Sequence, residues 1–318
     1  MHIDVHAHHF PVDYIELVRE KGGQYSESAR TLPGAQLPLD ERVDMLADVG
    51  IDLQVLSVSQ HQPYLEREAD AVDAARMAND IYADVCRGHK GRFKAFVAVP
   101  LPHVEAALAE LERGLDTLAF LGVTLGCSIN GRPLDEPSFE PFWAELDRRG
   151  TVVFLHPVGL GVLEGEDKYG LTWMIGAPVE DTVAALRLVL SGITSRYPRI
   201  RFIVPHLGGI LPFLAQRIEN SGSIGQSLGR MTGQSGSPRE HFRRLWYDTV
   251  NSHPEALACT CGSFGADRVL LGTDFPYLYG PKLKRCLTYV EDAGLSAAEV
   301  EGILGGNAEA LLGLGARA

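Results

Sequence analysis

IDVHAH, residues 3–8, is a short β-branched run that closes on two histidines one position apart. Side chains on a strand alternate between faces, so positions i and i+2 point the same way and His6 and His8 enter one space. The same pattern of an apolar run ending in a polar residue recurs along the chain. VVFLHP (152–157) ends on His156, IVPHLGG (203–209) on His206, and LLGTDFP (270–276) on Asp274. Eight short β-branched or apolar runs occur, at 3–5, 53–58, 95–99, 122–129, 152–155, 200–204, 245–248 and 269–271. Each is followed by a helical pattern, at 39–48, 66–88, 104–119, 139–148, 180–191, 210–219, 254–261 and 281–292. Eight strand–helix units predict an α/β fold, a (β/α)₈ TIM barrel formed by residues 1–318 as one domain. A doubly wound sheet seldom needs eight units and would want a glycine-rich first turn, which is absent. Three βα-loop insertions are long, at 10–37, 157–178 and 220–238. Long connections in compact domains are usually functional or disordered, and the third, rich in Gly and Ser, is expected to be the most mobile.

Composition narrows the function. A formal charge of −12 argues against nucleic acid as a partner, because phosphate binding needs a basic patch. The first residues, MHIDVHAHHF, do not read as a signal peptide, and no apolar run approaches the length of a membrane span. The five cysteines (Cys86, Cys127, Cys259, Cys261 and Cys286) have irregular spacing and fit neither a redox pair nor a zinc ribbon. They are expected to be reduced thiols in a cytoplasmic protein.

The polar strand ends carry the chemistry. In a barrel the C-terminal strand ends converge on one face, where catalytic residues gather. His6, His8, His156, His206 and Asp274 all fall there, a constellation that chance would not place on one rim. Imidazoles with a carboxylate suit zinc or another borderline divalent ion, with manganese or iron as other fits. An open coordination position would let such an ion activate water near neutral pH. The remaining histidines carry little weight as ligands, with His61 somewhat above the rest because it closely follows the second strand.

The order H-x-H, H-P, P-H-L-G-G, G-T-D-F-P resembles the amidohydrolase-related (amidohydrolase 2) family of metal-dependent decarboxylases and hydrolases, over nearly the whole chain. The resemblance implies a distorted (β/α)₈ barrel with one catalytic metal. It implies His6, His8, His156 and Asp274 as ligands, and His206 as the neighbouring acid–base residue. It further implies Arg30 as a carboxylate-binding arginine, twelve residues before Arg42, and Arg217 as an arginine that reaches into the site of a partner subunit, hence a homodimer. Arg42 itself reads as structural. Tyr169 and Trp173, in the long fifth loop, are candidate substrate walls. Val158 stands after H-P where the decarboxylases have an aromatic. Glycine-rich sequence near Gly225 replaces a further arginine. These departures leave the metal site intact and the substrate open.

The leading expectation is non-oxidative decarboxylation of a small unsaturated or aromatic carboxylic acid. Hydrolysis of an ester, lactone, amide or C–C bond, or hydration, would use the same ligand set. Diiron oxygen chemistry is remoter: the fourth run ends T-L-G-C-S-I-N, with no bridging acid or lysine until Asp135. A non-catalytic barrel would be expected to have lost a ligand or His206, and none is missing.

Overall fold

The computed structural model describes residues 1–159, 168–227 and 236–315, and the side chains of all these except 28, 168 and 223–227. Eight strands form the barrel: β1 (Ile3–His8), β2 (Leu53–Ser57), β3 (Phe93–Ala95), β4 (Val123–Gly126), β5 (Val152–His156), β6 (Arg201–Val204), β7 (Trp246–Asp248) and β8 (Val269–Leu270). They pair in parallel as two arcs, β1-β2-β3 and β8-β7-β6-β5-β4. Two seams close the arcs on each other. Val97 bridges Val123 in parallel, and the Val5 amide donates to the Leu271 carbonyl at 2.9 Å, with Ala7 bridging Phe275. The chain is thus the expected (β/α)₈ barrel.

Inward-facing Ile3, Val5, Leu53, Val55, Phe96, Val152, Phe154, Ile203 and Leu270 fill the barrel. A larger apolar layer lies between the strands and the surrounding helices. Fully burying one such large side chain contributes about 1.5–3 kcal/mol. The alternation has one deliberate fault. Ile3 and Val5 point inward, so strict alternation would send His6 outward. The β1–β2 register shifts between Asp4 and Ala7, and His6 instead packs edge-on against the interior ring of Phe154 at 4.9 Å. A bulge re-aims side chains in this way at functional rims.

Several boundaries differ from the sequence reading. β3 is Phe93–Ala95 rather than 95–99, because residues 96–99 hold the seam to β4 irregularly. A helix at Val12–Glu20, with Tyr14, Ile15 and Val18 buried, occupies part of the first long insertion. The third insertion begins as helix, since Leu211–Ser227 is continuous. The expectation of mobility falls largely on residues 228–235, outside the described residues.

A buried polar chain locks β1 to its helix. Arg42, in helix Leu39–Val49, donates through Nε and Nη2 to Gln54 Oε1 (2.9 and 2.7 Å) and through Nη1 to the His8 carbonyl (2.9 Å). Gln54 donates to Asp4 Oδ2 at 2.7 Å, and Thr273 Oγ1 donates to the same oxygen at 2.6 Å. Phe275 lies under the guanidinium at 4.1 Å. Arg42 is therefore structural, as the sequence indicated. Replacing it with methionine strands buried acceptors and leaves Asp4 without its distant cation. Arg42→Met is expected to cost about 3–5 kcal/mol of stability, read by urea denaturation; a cost under about 1 kcal/mol would show the network to be dispensable.

Candidate metal centre

Four predicted ligands meet at the barrel mouth. One ligand atom from each of His6, His8, His156 and Asp274 lies within 4.8 Å of every other. Nε2 of His8 and Nε2 of His6 stand 3.0 and 3.2 Å from Asp274 Oδ1. His6 Nε2 is fully buried yet lacks hydrogen-bonding geometry to Asp274 or to any other group. An orphaned imidazole nitrogen facing two other imidazoles and a carboxylate is costly unless a cation completes it. The donor set fits one divalent ion, and it is the one such group among the described residues.

The other ring nitrogens are held by acceptors that motif reading did not find. His6 Nδ1 donates to Asp248 Oδ2 at 2.7 Å, His8 Nδ1 is bonded to Ser57 Oγ at 2.8 Å, and His156 Nδ1 donates to the Pro157 carbonyl at 2.7 Å. The carboxylate and the carbonyl can only accept, so they fix the tautomers of His6 and His156 that leave Nε2 for a metal, and Ser57 orients the His8 ring. Asp248 ends β7 as His156 ends β5, so a strand-end acid was its only signal. Gly272 makes room for it: a Cβ there would lie 2.9 Å from Asp248 Cβ and 3.0 Å from His6 Cβ. Asp248→Asn should weaken metal binding about 10- to 100-fold, measured by competition with a chelating dye; unchanged affinity would remove Asp248 from the support.

Charge balance agrees. Burial alone pushes the His6 imidazole down, but Asp248 and Asp274 outweigh it and raise it to about 10 in the metal-free protein. Asp274, although burial raises it, is held well below the usual carboxylate range by His6 and His8. The site is built for positive charge, which a proton supplies when a cation does not.

His206 stands beside this group rather than in it. Its Nδ1 donates to Asp181 Oδ2 at 2.8 Å, its amide donates to Asp248 Oδ1 at 2.9 Å, and its ring is 5.3 Å from that of His6. His206, Leu207 and Asp274 have φ of 53°, 57° and 56°. Such backbone costs of order 1–3 kcal/mol per residue and is tolerated where surroundings over-determine it. Here the amide bond to Asp248, and that of the Asp274 amide to the His6 carbonyl at 2.8 Å, hold two of them.

A cavity of about 190 Å³ opens over the four atoms, lined by Gln60, His156, Pro157, Trp173, Ala177, His206, Asp274 and Tyr277. A second, of about 350 Å³, shares Gln60 and Trp173 and is otherwise lined by Gln24, Tyr25, Ser26, Gly159, Gly170 and Thr172. Trp173, a substrate-wall candidate from the sequence, lines both cavities. Gly159 seats it: at φ 69°, a Cβ there would come within 2.7 Å of the indole. Tyr169 lines neither cavity and is 76 % exposed. Arg30 also lines neither; its side chain is 46 % exposed and stands 4.0 Å from Glu16. Arg217 is exposed on helix Leu211–Ser227. Gln60, Tyr277 and Asp181 were not singled out from sequence.

The family model for amidohydrolases matches residues 3–314. The chain belongs to the amidohydrolase family. Within this family it is 31 % identical over 277 residues to 2-amino-3-carboxymuconate-6-semialdehyde decarboxylase from Dictyostelium discoideum, covering 86 % of this chain and 76 % of that one. It is likewise 31 % identical over 253 residues to gamma-resorcylate decarboxylase from a Rhizobium species, covering 75 % of this chain and 76 % of the relative. A solved dihydroxybenzoic acid decarboxylase from a Polaromonas species, with bound manganese and the inhibitor 2-nitroresorcinol, superposes with a TM-score of 0.85 at 25 % identity, over 100 % of this chain and 98 % of that one. The family membership agrees with the motif reading, and both curated relatives are decarboxylases.

Proposed function

We propose that this chain is a metal-dependent, non-oxidative decarboxylase of a small aromatic or unsaturated carboxylic acid. The observation that carries the reading is His206, tied to Asp181, on the wall of the same small cavity as His156 and Asp274. His6, His8, His156 and Asp274 would hold one divalent cation, whose Lewis-acid charge holds and polarises substrate oxygens. With Nδ1 engaged by Asp181, His206 keeps Nε2 for substrate and delivers a proton to the carbon that bears the carboxylate. When the C–C bond breaks, its electron pair returns to the π system and CO₂ leaves. Trp173 and Pro157 offer apolar walls that limit water around the reacting carbon.

Zinc is the proposed native ion on the chemistry of three imidazoles and one carboxylate. Manganese, present in the Polaromonas structure, is the ion to test beside it. The substrate is proposed to be a small-molecule carboxylate. Arg30, although it lines neither cavity, is proposed to hold the substrate carboxylate, and Tyr169 to be a substrate wall; in support, Arg30 stands beside Tyr25, a wall of the outer cavity. Arg217 is assigned to the site of a second copy in a homodimer. In support, it lies one turn from Phe213, which is 85 % exposed, with exposed Ile210 close by in the chain. No helix among the described residues is long and apolar enough to cross a membrane, and all five cysteines are free thiols, which supports a cytoplasmic setting. Closure of the barrel between Val5 and Leu271 supports one domain spanning the chain.

The test is product analysis. Protein loaded with zinc or manganese is incubated with 2,6-dihydroxybenzoate, 6-methylsalicylate and 5-carboxyvanillate, and CO₂ is measured with the phenolic product. CO₂ from at least one acid is expected. No CO₂ from any of them, together with hydrolysis of ester or lactone probes by the same preparation, would replace the lyase with a hydrolase.

A further inference from the structure

Gln60 holds a hydrogen-bond donor that the protein leaves unused. Its side chain is 1 % exposed, and Nε2 has no acceptor. Its orientation is set from the other end. Oε1 accepts from Tyr277 Oη at 2.9 Å and from Ser59 Oγ at 3.1 Å. Tyr277 is itself anchored to the metal centre, its amide donating to the Asp274 carbonyl at 2.8 Å, and Ser59 Oγ lies beside the His156 ring. Two donors fix the carbonyl end of the carboxamide and commit its N–H groups to the other side.

A buried N–H without a partner costs roughly 1–3 kcal/mol, so such groups call for an explanation. The cavities supply one. Gln60 is a wall both of the cavity over the four ligand atoms and of the larger outer cavity, and Trp173 is the other shared wall. The ring of a bound acid in the inner cavity would direct its far substituents toward this pair. Trp173 offers an aromatic face and Gln60 an N–H.

We propose that the outer cavity is a substituent subsite, and that the substrate is an aromatic acid bearing, away from its reacting carboxylate, a hydrogen-bond acceptor received by Gln60 Nε2. This rests on the decarboxylase reading of the inner cavity. Gln60 is then a specificity residue, with Tyr277 and Ser59 positioning it. An acceptor completes the orphaned donor, whereas an alkyl group of the same size leaves it as unpaired as it is in the free protein. Sites built to hydrogen-bond a substrate reject isosteres that lack the polar atom for this reason.

Equilibrium binding to the manganese-loaded protein by calorimetry tests this without turnover. The probes are two size-matched pairs, 4-methoxy- against 4-ethylsalicylate and 5-methoxy- against 5-ethylsalicylate. The wild type should prefer the methoxy member of at least one pair by about five- to tenfold. Gln60→Leu should bring both members of that pair within about twofold of each other. Its manganese content and its affinity for the ethyl member should stay near wild type. Tyr277→Phe, which releases one end of the carboxamide, should shrink the preference. No preference in either pair, or equal weakening of methoxy and ethyl members by Gln60→Leu, overturns the subsite. Failure of every salicylate to bind the wild type would instead remove the aromatic-acid reading beneath it.

Discussion

Asp274→Ala should empty the metal centre and lower turnover by at least about 10³-fold. Asp274 is the only carboxylate of the four, and its Oδ1 stands within 3.2 Å of both His6 and His8. Removing it leaves three imidazoles, of which His8 and His156 are already pushed down by burial. Asp274 is also the one anionic donor of the set, so its loss removes the strongest charge attraction for a divalent ion in a buried site of low dielectric. Loss of the metal's Lewis-acid charge removes several kcal/mol of transition-state stabilisation, which sets the scale of the rate loss. Metal content measured by plasma mass spectrometry should fall well below one per chain under conditions that leave the wild type loaded. Near-stoichiometric metal in the variant would end the assignment of Asp274 as a ligand.

The second large effect is expected at His206. His206→Asn should keep the metal and lose about 10²- to 10⁴-fold in turnover, the usual worth of a positioned acid–base group. The division of labour follows from geometry: the four-atom group closes without His206, whose Nδ1 is spent on Asp181. The sign of the pH dependence also follows. Burial pushes the His206 imidazole down, but the Asp181 carboxylate outweighs it and raises it above the ordinary value in the metal-free protein. The Asp181 carboxylate favours the charged form of this proton donor, and the rate should fall as pH climbs through its titration. Asp181→Asn removes the cause, so the alkaline limb of the profile should move to lower pH while the metal stays bound. Loss of metal from His206→Asn would make His206 a ligand; an unmoved limb in Asp181→Asn would break its coupling to His206.

Much of this site was legible because barrel strands end where the chemistry is. His6, His8, His156, His206 and Asp274 announce themselves as polar closures of apolar runs, and the fold brings those closures together whatever the connecting loops do. Supporting residues lacked that signal. Asp181 sits within a helix, five residues past Gly176, and points to His206 only through three-dimensional packing. Ser57 and Gln60 flank a strand end but are ordinary residue types there. The bulge that turns His6 inward is invisible in IDVHAH, since a register shift lies in the pairing with Leu53–Ser57 and not in either strand alone. The helix at Val12–Glu20 did carry a signal, with Tyr14, Ile15 and Val18 at helical spacing, but the long insertion around it obscured the pattern. Arg30, Arg217 and Tyr169 came from resemblance or loop position, not from a strand end, and none lines the two cavities.

The direct measurement of the central claim is a metal titration of chelator-stripped protein, with CO₂ release followed as zinc or manganese is added. Four side chains holding one catalytic ion predict negligible release from the stripped protein, a linear rise to one equivalent per chain, and a plateau beyond it. Full activity before any metal is added, or a rise that continues to two equivalents, would contradict it.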